Sequence, residues 1–276
     1  MIGPGVVFLL GLFVTFTASL ASNTEAGAPP PVASFSSWDH GFEGPDVLSA
    51  GLTTFRLQNR GAVPHQLQLL QLPHDRTPED LASYLQASHG EVPSWAKHRG
   101  GPNGVSPGET ADATIYLEPG TYVLTCAIPT KAQPHVMHGM SKILHVVGNH
   151  TTQPEFMGHV HMAMFEYEFV VVQRMRSGPQ TFYVVNRGTQ VHQVSLVRLN
   201  PDATAGDMLT AFVPTTTGLS LPGKLLGGMA GLEPGGRGMF SATLAPGRYA
   251  LICLFPNPAA HDSHAAKGMV INFTVD

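Results

Sequence analysis

The chain has 276 residues, a formal net charge of −4 and only 12% charged residues, against 30 glycines and 23 prolines. This length accommodates two domains of ordinary size, each with its own core. The Gly/Pro richness favours a turn-rich all-β protein over a helical one, and the charge balance excludes a large nucleic-acid footprint.

In chain order, residues 6–21 are almost wholly apolar and end among the small residues Ala18, Ser19, Ala21 and Ser22. The run is shorter than the roughly 20 residues of a membrane span and has the make-up of a secretory signal, although no Lys or Arg precedes it. Residues 1–22 are therefore expected to be a signal peptide, or an N-terminal membrane anchor if uncleaved. Export to the periplasm or the cell exterior is expected either way. Residues 23–34, rich in Ala and Pro, read as a flexible lead-in.

The first domain is expected over residues 35–148. A strand at 54–58 ends in an Asn59-Arg60-Gly61 turn, and 65–69 alternate polar and apolar residues as a half-buried strand does. Thr77, Pro78 and Asp80 form a helix start of the capping-box type, followed by Leu81, Tyr84 and Leu85 on one apolar face. Residues 113–117, 122–126 and 143–147 are further strands, with Pro119-Gly120 as hairpin-type punctuation. Residues 149–158 are the expected linker. A second domain over 159–276 brings strands at 182–185, 192–196, 241–244, 249–253 and 270–275, again with Pro246-Gly247. Its short helix is capped by Thr204 and Asp207 and carries Met208, Ala211 and Phe212. The sum is an all-β protein of two tandem Greek-key β-sandwiches, each with one short helix.

The likeness of the halves is a repeat. Asn59-Arg60-Gly61-Ala62-Val63-Pro64-His65-Gln66 returns as Asn186-Arg187-Gly188-Thr189-Gln190-Val191-His192-Gln193, an offset of 127. The same offset carries Gly100-Gly101 to Gly227-Gly228, Tyr122 to Tyr249 and Cys126 to Cys253. Beyond the cysteines an offset of 129 carries His135 to His264 and Met140 to Met269. A near-constant offset of this kind marks one duplicated unit.

Each unit thus holds His, Cys, His and Met in the same order: His65, Cys126, His135 and Met140, then His192, Cys253, His264 and Met269. A thiolate, two imidazoles and a weak thioether are the donor set that accommodates both oxidation states of copper. Two cysteines in an exported chain default to a disulfide. Equivalent positions in two repeated domains normally lie beyond bridging distance, which favours the ligand reading. His138 competes with His135, and His261 with His264. The shared His-x4-Met spacing favours His135 and His264. Met140 and Met269 have core packing as their competing reading. His159 and His161, beside Met162 and Met164, suggest either an accessory copper site or the first strand of the second domain, and nothing equivalent near residues 30–37 supports the former.

The pattern resembles the type 1 (blue) copper cupredoxins. The stretch from Tyr122 through Cys126, Pro134, His135 and Gly139 to Met140 resembles the ligand loop of two-domain copper nitrite reductases and related multi-domain blue copper proteins. The resemblance implies two type 1 coppers per chain and one-electron transfer with redox protein partners. It also implies that His135 and His264 are electron ports at the surface, rimmed by Pro134, Val136, Met137, Ala265 and Ala266. It does not extend to the catalytic copper of nitrite reductases. Where that family has histidines, this chain has Thr125 and Ile252 before the cysteines, and Leu70 and Val197 five residues after the first ligand. A catalytic role is therefore not expected. Copper capture, storage or delivery is the alternative, and a trimerising oxidase or reductase with a copper between chains is the third reading. Homo-oligomerisation is left open.

Overall fold

The structure is a computed structural model that describes residues 29–129, 133–149, 156–211, 221–257 and 262–276. The expected signal or anchor segment, the start of the lead-in, most of the expected linker, Phe212 and His261 lie outside the described residues.

The first half contributes β1 (Val32–Trp38), β2 (Gly41–Glu43), β3 (Val47–Ser49), β4 (Gly51–Asn59), β5 (Gln68–Gln71), α1 (Pro78–Ala87), β6 (Lys97–His98), β7 (Thr110–Leu117), β8 (Gly120–Thr125) and β9 (Ser141–Val147). The second half contributes β10 (Val160–Phe165), β11 (Glu168–Val171), β12 (Gly178–Asn186), β13 (His192–Leu199), α2 (Ala205–Ala211), β14 (Gly223–Leu232), β15 (Arg237–Leu244), β16 (Gly247–Ile252) and β17 (Val270–Val275). Each half is a β-sandwich with one short helix. β1 starts at Val32, so the last three residues of the expected lead-in already pair in parallel with β4. None of the described helices is long and apolar enough to cross a membrane.

Period-two burial sets the faces. β4 turns Thr53, Phe55, Leu57 and Asn59 inward, and β12 does the same with Phe182, Val184 and Asn186. The aromatic rings stack across these strands, Phe35 on Phe55 at 5.6 Å and Phe182 on Phe240 at 4.5 Å between centroids. The capping box of α1 forms as the sequence specifies, Thr77 Oγ1 accepting from the Asp80 N–H and Asp80 accepting from the Thr77 N–H. Its Leu81 and Leu85 pack on Leu70 and Val123, while Tyr84 stays exposed.

The Pro-Gly pairs do not make hairpins. β7 belongs to one sheet and β8 to the other, and the same holds for β15 and β16. The chain crosses between sheets at these corners. Tyr122 fixes the first by donating its hydroxyl to the Glu118 carbonyl and accepting from the Glu118 N–H; Tyr249 does the same at Ala245.

The halves are joined around a pseudo-twofold axis. One continuous sheet runs β11-β10-β12-β15-β7-β4-β1-β2, a palindrome under the 127-residue repeat. At its centre Met239, Phe240 and Ser241 pair with Thr114, Ala113 and Asp112, and residue 240 is the repeat mate of 113. Behind it, the segment around 99–105 runs antiparallel to β14, with bridges Arg99–Leu232, Pro102–Met229 and Val105–Leu226. Its backbone bonds come in symmetric pairs, Gly100 N–H to Gly231 and Gly227 N–H to Gly104, then Ala230 N–H to Gly101 and Asn103 N–H to Gly228. The two Gly-Gly pairs permit this approach. Across the joint, a Cβ at Gly100 (φ 82°) would stand 2.8 Å from Met229 Sδ and one at Gly227 (φ 97°) 2.4 Å from Ala111 Cβ, while one at Gly101 or Gly228 would meet the Leu67 or Val194 carbonyl oxygen of its own half at 2.2 or 2.1 Å. One core cluster consequently runs through both halves.

Candidate metal centres

Each first histidine is set by a turn built on its Asn-Arg-Gly motif. Asn59 Nδ2 donates to the Val63 and Val105 carbonyls while its Oδ1 accepts from the Gly61 N–H. Asn186 repeats this with Gln190, Leu232 and Gly188. His65 then exchanges backbone hydrogen bonds with Val105, which bends the chain into the sandwich ahead of β5. The strand expected at 65–69 therefore begins only at Gln68 in the first domain.

The other donors sit on the loop after β8 or β16. Cys126 follows β8, and a single 3-10 turn, His135–His138, presents the second histidine. The loop is closed by backbone bonds from Val136 N–H to Cys126, Met140 N–H to His135 and Cys126 N–H to Met140. Ala265, Met269 and Cys253 reproduce this network around the turn His264–Lys267.

The outcome is two buried His-Cys-His groups, His65 with Cys126 and His135, and His192 with Cys253 and His264. In the first, the two Nδ1 atoms are 3.2 Å apart, and Cys126 Sγ lies 3.9 Å from His65 Nδ1 and 3.3 Å from His135 Nδ1. In the second, the Nδ1 atoms are 2.9 Å apart and Cys253 Sγ is 3.6 Å from His264 Nδ1. Both cysteines are free thiols in separate groups, so the disulfide reading is overturned. His138 is exposed and lies outside the first group, which contains His135. Met140 and Met269 are fully buried; Met140 packs in one cluster with Cys126 and Ile128.

Burial governs the electrostatics. It pushes the Cys126 and Cys253 thiols up to about 12 against the pull of two backbone N–H groups on each sulfur, from Gln66 and Ile128 and from Gln193 and Phe255. Burial, followed by the neighbouring imidazole, pushes His135 and His264 down to about 4. His65 and His192 are also lowered, chiefly by burial. Without a metal each group is thus a neutral thiol beside two neutral imidazoles.

Two carboxylates complete the sites and escape a search for metal-donor spacing. Asp39 Oδ1 takes the Nε2 side of His65 at 3.0 Å and the Ala62 N–H at 2.8 Å. Its repeat mate Glu166 is bound by Thr189 and Gln190 of the equivalent turn but stands 3.7 Å from His192 Nε2. The signal was present in the sequence: the 127-residue offset carries an acid onto an acid at the end of the first strand of each unit.

The nitrite-reductase positions are filled by packing. Leu70 lies under α1, and Val197 and Ile252 share the cluster under α2. Thr125 is buried at the end of β8. His159 and His161 are exposed, while Met162 and Met164 enter the core. His159 accepts from the Thr181 N–H and His161 packs edge-on to Tyr183, as the strand reading requires. β10 does have a structural equivalent near residues 30–37, namely β1, which lacks the histidines.

The donor spacing fits a metal ion of first-row size. A point equidistant from the three atoms of the first group lies about 2.0 Å from each, the length of a metal–imidazole bond and slightly short for metal–thiolate.

No family model matches the chain. No curated protein matches it. Among solved structures, a dithionite-reduced auracyanin from Roseiflexus castenholzii is 20% identical, with a TM-score of 0.32 over 44% of this chain and 100% of that one. A Cu-containing nitrite reductase from Thermus scotoductus SA-01 is 13% identical, with a TM-score of 0.25 over 89% of this chain and 61% of that one. A blue copper oxidase from Nitrosomonas europaea is 14% identical, with a TM-score of 0.27 over 90% and 86%. Each sandwich of this chain holds one His-Cys-His group that could hold a metal ion.

Proposed function

We propose that this protein binds one type 1 copper in each domain and carries single electrons between redox protein partners outside the cytoplasm. The observation that carries the reading is the pair of repeat-related, buried groups in which two Nδ1 atoms converge on one Sγ. Copper bound there supplies a one-electron redox couple with a thiolate, two imidazoles and a weak thioether from Met140 or Met269.

The chain's own residues do the rest. Cys126 and Cys253 lose their protons on binding, and the N–H groups of Gln66 and Gln193, at 3.4 and 3.5 Å, stabilise the charged sulfurs. Asp39 holds the proton of His65 on Nε2 and so keeps Nδ1 free to bind. The surrounding β-sandwich fixes the donors on rigid strands and short loops, so little moves between oxidation states. Export belongs to the same proposal and rests on the apolar run at 6–21.

The test is to load the purified protein with Cu(II), count the metal and record the visible spectrum. About two coppers per chain with intense thiolate-to-copper absorption are expected, and Cys126→Ser and Cys253→Ser should each remove about half of both. Bound copper without such absorption sinks the type 1 reading and leaves capture or delivery. Absence of copper binding sinks both.

A further inference from the structure

The two centres differ on the side that faces away from the donor atoms. In the first domain His135 retains 6% exposure, next to half-buried Val136 and Met137. In the second, His264 has none. Its Nε2 is buried and has no hydrogen-bond partner among the described residues. The expectation that both loop histidines reach the surface therefore fails for His264.

Two rings close the second site. Tyr167 stands edge-to-face with His264 at 5.5 Å between centroids, and Phe255 lies at 6.1 Å. The repeat mates of these residues in the first domain are His40, which is exposed, and Ile128. Among the described residues, the only ring packed on His135 is that of His65.

Tyr167 is held in place at a cost. It turns the chain from β10 into β11 with φ at +64°, a left-handed conformation that disfavours a bulky side chain. Its hydroxyl accepts a hydrogen bond from Asn257 Nδ2 at 3.2 Å. The buried Nε2 of His264, without a hydrogen-bond partner among the described residues, adds a second cost. Strained backbone and an orphaned polar group converging on one contact point to a function for that contact.

We propose that Tyr167 is a gate that closes the centre of the second domain, leaving His135 of the first domain as the face that exchanges electrons and metal with molecules in solution. The exchange part rests on the copper reading above; the occlusion does not.

The occlusion is tested on the metal-free full chain with diethyl pyrocarbonate, following histidine modification by peptide mass mapping. His135 should react at least about tenfold faster than His264, because the latter reacts only after local opening. Tyr167→Gly, which also relieves the left-handed strain and so favours folding, should bring His264 to within about threefold of His135 and leave His135 unchanged. Tyr167→Phe keeps the ring and should keep the protection. Equal reactivity in the unmodified protein overturns the proposal, as does a His264 that stays protected in a folded Tyr167→Gly. With copper bound, extraction by EDTA should be biphasic, the slow phase disappearing in Cys253→Ser and becoming fast in Tyr167→Gly. A single phase overturns the exchange assignment. A protein that binds no copper removes the copper reading and leaves the modification result standing.

Discussion

Replacing Asp39 by Ala should weaken metal binding in the first domain through a residue that never touches the metal. Asp39 Oδ1 lies 3.0 Å from His65 Nε2, a hydrogen bond with one charged partner. Such bonds contribute roughly 1.5–3 kcal/mol net. The Asp39 side chain is 36% exposed, so solvent screening places the loss at the lower end of that range. About 1.4 kcal/mol corresponds to a tenfold change in affinity, and losing the hydrogen-bond partner of a ligating histidine costs about 10–100-fold. The assay is copper competition against a chelator in the Cys253→Ser background, where only the first centre binds. Asp39→Ala should weaken binding by about 10–30-fold. Asp39→Asn, whose amide oxygen still accepts from Nε2, should lose only about threefold. The corresponding Glu166→Ala change in the Cys126→Ser background should cost less, because its contact with His192 is 3.7 Å long. A twofold effect or smaller for Asp39→Ala, with the thermal midpoint unchanged, refutes the argument that the carboxylate sets the tautomer. An Asn variant worse than the Ala variant refutes it as well.

The metal-free fold should lose stability on acidification. With His135 and His264 pushed down to about 4, the folded chain stays unprotonated where the unfolded one, at about 6.5, takes up protons. Stability from these groups is therefore complete above about pH 6.5 and falls as pH drops towards 4. Urea unfolding at pH 7.5 and pH 5 checks this, and a stability that holds or rises at pH 5 contradicts it. The joint between halves should depend on Asn103, which is 1% exposed and donates to Val194 O, Ser195 Oγ and Met229 O across the pseudo-twofold axis. Asn103→Ala strands several buried acceptors and should cost about 2–4 kcal/mol, lowering Tm by roughly 5–15 °C. A loss of less than about 1 kcal/mol in calorimetry would show that the joint does not rely on this amide.

The candidate histidines and cysteines stood out because duplication printed each of them twice, in an order that suits copper chemistry. A lone His65 is an ordinary strand-edge residue, whereas His65 and His192, each followed by Gln and preceded by the same turn, are not. The carboxylates were missed because Asp39 and Glu166 lie 26 residues before the histidines they face, and only the parallel pairing of β1 with β4 and of β10 with β12 brings them close. β14 was missed for a different reason. Its stretch Gly-Lys-Leu-Leu-Gly-Gly-Met-Ala-Gly-Leu has the glycine content of a loop, and it becomes a strand because two chain segments must approach there without side chains. The Pro-Gly corners look like hairpins locally, and only the tyrosine hydroxyls that tie each corner reveal a crossing between sheets.

Chain-local information sufficed for the duplicated unit, its strand periods, its helix caps and the choice of candidate metal-binding residues, because each depends on neighbours within a few positions or on comparison of one half with the other. It carried nothing about the twofold joint, about the sheet shared by both domains, or about the inequality of the two centres. Those follow from contacts between residues far apart in sequence. His135 and His264 are repeat mates with the same loop chemistry. One borders solvent and the other is sealed because a tyrosine, turned left-handed at the end of a distant strand, reaches over only one of them.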